Sequence, residues 1–194
     1  MLRTVLLTLV TLAIAIGGGA ASVWYALQAR EGVGTVTIGS WTAYPSMGAP
    51  DADPYSKARA ARQGLLALGR AEGIAFFATR DAGGAQLSRK CSYKIEGSTP
   101  PARFWTLYAA DPSLRMVTGD QRRKPALQSL DVLRNADNSF AIAVGPDATP
   151  GNWLSVAGVG PMVFVLTLYD TPVAGSIGVE DVELPQVLRT GCHA

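Results

Sequence analysis

Histidine is nearly missing from this chain: the single one, His193, stands next to the last residue. A serine or cysteine nucleophile needs a neighbouring base to take its proton, and a histidine at a chain end is a poor candidate for that base. Ser-His-Asp and Cys-His chemistry are therefore disfavoured. With only two cysteines and one histidine there is no ligand set for zinc, and neither a metal nor another cofactor is expected. The chain has no G-x-S-x-G elbow, P-loop, H-E-x-x-H helix or EF-hand loop, and Gly32-Val33-Gly34 lacks the third glycine of a dinucleotide fingerprint. Charge is scarce as well, at 16% of 194 residues, and 17 basic and 15 acidic residues are interspersed to leave a net +2. Without a basic stripe to displace counterions from a phosphate backbone, nucleic acid is not an expected partner.

What the chain does have is apolar residues, 48% of the total, with the longest run at the start. No charge falls between Thr4 and Ala29, and Val5 to Leu27 is interrupted only by Thr8, Thr11 and Ser22. As a helix this run spans on the order of 34 Å, enough for a hydrocarbon core of about 30 Å. Arg3 precedes it, while Trp24 and Tyr25 stand near its far end, where amphipathic rings favour the membrane interface. Residues 1–30 are thus expected to be a transmembrane anchor in the cytoplasmic membrane of a bacterium, with the lipid bilayer as its partner and the C-terminal domain on the extracytoplasmic side. The alternative is a cleaved signal peptide, for which Gly19-Ala20-Ala21 offers small residues. The anchor is favoured because the apolar run continues through Val23 to Leu27. Both export the rest of the chain.

Cys91 and Cys192 belong to no C-x-x-C pair and no metal-ligand spacing, so a disulfide is expected in an oxidising compartment. Two buried free thiols are the alternative.

Residues 31–52, rich in Gly, Ser and Thr around Val36, Ile38 and Trp41, read as a spacer with a short extended segment. Residues 53–194 read as one exported, β-rich domain. Asp53-Pro54 supplies an N-cap and a proline at the first helical position, and Tyr55, Ala58, Leu65, Leu66 and Leu68 follow as a mostly helical face. Short apolar runs come next: IAFFATR, CSYKIEG, ARFWTLYA, LQSLDVLR, SFAIAVG, MVFVLTLYD and the weaker VEDVELP, parted by Asp81 to Gly84, Pro100-Pro101, Asp137 to Ser139 and Asp147 to Gly151. Strands at this spacing predict an antiparallel β-sandwich or jelly roll behind one leading helix.

Five stretches also carry a resemblance. DPYSKARAARQGLLALGRAEGIAFFATRD, PPARFWTLY, NADNSFAIAV and GNWLSVAGVGPMVFVLTLYD, with CSYKIEG between, are similar to the bacterial domain-of-unknown-function family 1214. The likeness runs from about Trp41 to Cys192, and its most specific pieces are Phe104-Trp105-Thr106-Leu107 and Gly151-Asn152-Trp153-Leu154. It implies an antiparallel β-sandwich with one leading helix in an envelope protein, and it implies no activity. Where members commonly read Tyr-Asp and Leu-Pro after these pieces, this chain has Tyr108-Ala109-Ala110-Asp111 and Leu154-Ser155.

Trp41, Trp105, Trp153 and Tyr169 are large aromatics, and such rings stack on sugars as readily as they fill cores. Trp153, beside Asn152 with its two donors and an acceptor, is one candidate ligand site, and Arg103 with Trp105 in the FW strand is another. Core packing for Trp105 and a self-bonded turn for Asn152 are the plainer readings. Arg122, Arg123 and Lys124 form a candidate anionic-surface contact through lipid phosphate or an acidic polymer, against the reading of a solvated loop. Asp81, Asp111, Asp137 and Asp147 offer carboxylates for glycoside hydrolysis, or simply form turns. The leading expectation is a non-catalytic envelope module that binds a partner protein or a cell-wall glycan. A carboxylate-based hydrolase acting on envelope polysaccharide is the alternative.

Overall fold

The apolar N-terminal run forms one helix, α1, Leu2–Gln28, long and apolar enough to cross a membrane. The hydroxyls of Thr8, Thr11 and Ser22 donate to the carbonyls of Thr4, Leu7 and Gly19 about one turn back, so the polar residues in the run satisfy themselves within the helix. A computed structural model describes residues 2–28, 35–64, 67–119, 124–174 and 182–192.

The second helix, α2, Pro54–Gln63, starts where the sequence predicts. The Asp53 carboxylate accepts from the backbone N–H groups of Tyr55 and Ser56, and Pro54 needs no partner at the first position. The expected leucine face does not form on it. Gly64, with φ 62°, turns left-handed and closes the helix. Leu68 lies beyond that cap, and Leu65 and Leu66 lie outside the described residues. What remains is a polar surface helix that exposes Tyr55, Lys57 and Arg62.

The strands are β1 Val36–Ile38, β2 Trp41–Ala43, β3 Gly73–Ala78, β4 Cys91–Gly97, β5 Phe104–Ala110, β6 Ala126–Gln128, β7 Phe140–Gly145, β8 Asn152–Ser155, β9 Val163–Tyr169 and β10 Gln186–Cys192. They build a six-stranded sheet, ordered β1-β2-β3-β9-β5-β6, and a four-stranded sheet, ordered β10-β4-β7-β8. Alternation drives the layering: in β3, Ile74, Phe76 and Ala78 point into the core, as do Trp105, Leu107 and Ala109 in β5. Rings stitch the two sheets together. Tyr93 of β4 meets Phe164 of β9 edge-on at 5.7 Å, and Trp105 of β5 lies 5.1 Å from Phe140 of β7. Trp41 adds a buried Nε1 hydrogen bond to the Pro185 carbonyl at 2.7 Å, which ties the hairpin β1-β2 to the approach of β10.

Mostly β structure in two packed sheets is as expected, with differences in detail. The smaller sheet is mixed, because β8 runs parallel to β7. Asn152-Trp153, read from sequence as part of a turn, belongs to β8 itself. The short extended segment read around Val36, Ile38 and Trp41 is the hairpin of β1 and β2, and its Trp41 and Ala43 are core residues of the sandwich. LQSLDVLR gives only the short β6, since turn residues follow Gln128; of VEDVELP, residues 179–181 lie outside the described residues and 182–185 carry no strand, the last strand starting at Gln186. Cys192 is paired with Cys91 in the β4–β10 register, and their sulfurs are at disulfide distance, so the bridge closes the end of the smaller sheet.

Candidate functional site

An antiparallel sheet packed on one side leaves its other face to water, where polar residues are the rule. The outer face of the six-stranded sheet departs from that rule. Register places Thr42, Phe77, Val165 and Tyr108 side by side across β2, β3, β9 and β5. The next row, two residues along, holds Ala75, Thr167, Thr106 and Gln128, and the last row holds Gly73, Tyr169 and Phe104. Phe104, Tyr169, Phe77 and Tyr108 are all half-buried, and Val163, Val165 and Ala110 form a small apolar cluster beneath Phe77, Tyr108 and Leu114. The Phe104 and Tyr169 rings lie 5.7 Å apart at a 37° tilt. A Cβ on Gly73 would fall 2.1 Å from the Leu168 carbonyl oxygen, so glycine is required where β3 meets the end of β9.

The face is polar at its rims. Arg103, next to Phe104, pairs with Asp170, next to Tyr169, at 3.6 Å. Burial first, and then the neighbouring Tyr169, push the Tyr108 phenol above its ordinary value, which keeps it a neutral donor at pH 7. At the other end the face opens into a groove of about 1430 Å³, lined there by Thr42, Tyr44, Phe77, Thr79 and Leu114. Rings interleaved with hydroxyls suit a ligand with apolar C–H faces and hydroxyl edges, which is the chemistry of a pyranose.

The structure does not bring the sequence candidates into one site. Trp105 is 2% exposed, its ring packed on Phe140, and so serves the core rather than a ligand. Asn152 accepts from the Leu133 N–H at 2.7 Å and donates to the carbonyls of Leu133 and Ala141, so its donors and acceptor are engaged in bracing β8. Trp153 is half-buried and donates from Nε1 to the Gly145 carbonyl at 3.1 Å. Arg103 lies at the aromatic face just described. Lys124 is paired with Asp131 at 2.8 Å, which neutralises it locally, while Arg122, Arg123 and His193 lie outside the described residues.

The loop carboxylates are engaged locally too. Asp81 is buried, accepting from the Ala85 N–H and from Arg189 Nε at 2.9 Å. Desolvation opposes ionisation of Asp111, yet the Arg115 and Ser113 N–H groups and the Arg115 guanidinium outweigh it and hold the carboxyl below its ordinary value. The Ser139 hydroxyl and N–H do the same for Asp137. Asp147 lines a smaller groove with Asn152 on the four-stranded sheet. Among the described residues no three of His, Cys, Asp and Glu cluster as metal ligands.

Sequence reasoning named Tyr169 among the large aromatics but missed Phe77, Phe104 and Tyr108 as its neighbours on one face. The available signal was parity: in both FF and FW one ring must face out when its neighbour faces in.

Comparison with known proteins adds a family and a fold. No curated protein matches the sequence. The crystal structure of the VPA0106 protein from Vibrio parahaemolyticus is similar over 72% of this chain, at 16% identity and a TM-score of 0.58, which shows a shared fold. This chain spans only 36% of that protein's length. An uncharacterized protein from Burkholderia cenocepacia overlaps 74% of this chain and 44% of its own, at 14% identity and a TM-score of 0.35, below what shows a common fold. The family described as "Protein of unknown function (DUF1214)" matches residues 72–173, just over half of the 194 residues and the stretch from β3 to the 3-10 turn after β9, and the chain belongs to that family.

Proposed function

We propose that this protein is a single-pass membrane protein of the bacterial envelope, a non-catalytic module whose outer six-stranded face binds a cell-wall glycan on the extracytoplasmic side. The observation that carries this reading is the half-buried ring pair Phe104–Tyr169, flanked by Thr106, Thr167 and the Arg103–Asp170 pair. Rings on a solvent-facing row do nothing for the core on the opposite side of the sheet. Helix α1 supports the tether, Arg3 ahead of it supports the orientation, and a bridged Cys91–Cys192 pair suits an oxidising compartment. Tethering raises the local concentration of a weak binder near its polymer.

The hydrolase reading has less support. A general acid needs a carboxyl raised by an apolar surrounding, yet Asp111 and Asp137 are held low in their own turns.

The test is co-sedimentation of the detergent-solubilised full chain with purified bacterial cell-wall sacculi. Each ring is worth about 1 kcal/mol beyond its area, so Phe104→Ala with Tyr169→Ala is expected to weaken binding at least about tenfold. Trp153→Ala, on the other sheet, is the control and leaves binding unchanged. Equal binding by the ring variant, or no binding by the wild type, overturns the proposal.

A further inference from the structure

We propose that α2 rests on anionic phospholipid headgroups, with Lys57 and Arg62 as the contacting cations. This rests on the anchor reading above, because it needs α1 in the bilayer.

Two independent observations meet here. The first is position. Arg62, in the last turn of α2, holds its guanidinium 4.8 Å from the centroid of the Trp24 ring. Trp24 stands near the C-terminal end of the apolar helix and is 60% exposed, the placement of an aromatic that marks the level of the headgroups. Whatever depth Trp24 takes, the end of α2 is carried to within a side chain of it.

The second is composition. The sequence of α2, PYSKARAARQ, holds basic residues and no carboxylate. Nearby, Arg70 is already paired with Asp51 at 3.7 Å. Lys57 donates to the Pro50 carbonyl, which leaves further N–H donors on the same ammonium. Tyr55, 46% exposed on the same helix, gives an amphipathic ring for the interface. A short, weakly apolar, cationic helix beside an interfacial tryptophan lies on a bilayer rather than in it. Its cations lie beyond the roughly 15–20 residues after a span in which positive charge governs orientation, so they do not conflict with an extracytoplasmic domain. The consequence is orientational: the sandwich is held at the membrane at two points, the end of α1 and α2, instead of swinging on a single tether.

The test is deuterium exchange of the full chain in vesicles of phosphatidylcholine alone and of equal parts phosphatidylcholine and phosphatidylglycerol. Exchange of the α2 amides is expected to slow about tenfold in the anionic vesicles, since each basic residue near such a surface contributes measurably. High salt abolishes the difference. Lys57→Gln with Arg62→Gln abolishes it too, while β3 and β9 amides exchange as in the wild type, which shows the fold intact. Equal α2 exchange in both vesicles, with α1 resistant to carbonate extraction, overturns the headgroup contact alone. Extraction of the whole chain by carbonate overturns the contact together with the anchor beneath it.

Discussion

The two solvent-facing sheet surfaces obey the same alternation and carry opposite residues. On the four-stranded sheet the outward groove is lined by Ser92, Ala141, Ala143 and Gly145, small groups that leave the backbone close to the surface, with Lys94 and Trp153 on either side of Ala143. On the six-stranded sheet the outward rows hold Phe77, Tyr108, Tyr169 and Phe104. Both sheets bury their inner faces in one core, so the fold alone does not explain why one outer face carries four rings and the other Trp153, tied by its Nε1 to the Gly145 carbonyl. Rings left half in water cost solubility and invite association. Their concentration on one face, among threonines, is the feature that most needs a ligand.

The comparison can be broken in several ways. Loss of the bridge in the smaller sheet should have the largest effect. Cys192→Ser opens a loop of 101 residues and should lower stability by about 4 to 5 kcal/mol, read as a lower thermal midpoint of the oxidised full chain. Full thiol labelling of the exported wild type without reductant would show that no bridge forms.

Neighbouring residues on opposite faces give the sharper contrast. Trp105→Ala should cost about 3 to 5 kcal/mol in chemical denaturation, because its ring is buried against Phe140. Phe104→Ala, one residue earlier, should cost well under half of that. Equal costs would mean that the outer ring is structural after all.

Tyr108 gives the smallest effect. Its pKa is raised in the fold by burial, so the native state holds its proton more tightly than the unfolded chain. That stability is present in full below the ordinary value of 10.0 and is lost as pH rises through it toward the folded value. Tyr108→Phe should flatten the decline of the denaturation midpoint above about pH 10. An unchanged slope would place the phenol in open water.

The strands that the sequence made legible were those with long apolar runs: β3, β4, β5, β7 and β9 all lie where IAFFATR, CSYKIEG, ARFWTLYA, SFAIAVG and MVFVLTLYD predict. The three-residue strands β1 and β2 were legible only as one short extended segment, because they have too few positions to show alternation and glycine and threonine around them read as spacer. The parallel pairing of β8 with β7 was illegible, because Pro150-Gly151 ahead of it signals a turn and pairing direction leaves no local mark. The α2 start was legible from Asp53-Pro54. Its early stop at Gly64 was not, because a helical leucine pattern continued beyond it. The candidate face was hidden for a further reason. Phe76 and Phe77, or Phe104 and Trp105, look alike in sequence, and only the register against β9 decides which ring faces water.

The most direct measurement of the central claim is deuterium exchange of the full chain with and without soluble cell-wall glycan fragments. Added protection in β3, β5 and β9, with β4, β7 and β8 unchanged, is the predicted result. Protection confined to β4, β7 and β8, or none at a saturating glycan concentration, would contradict it.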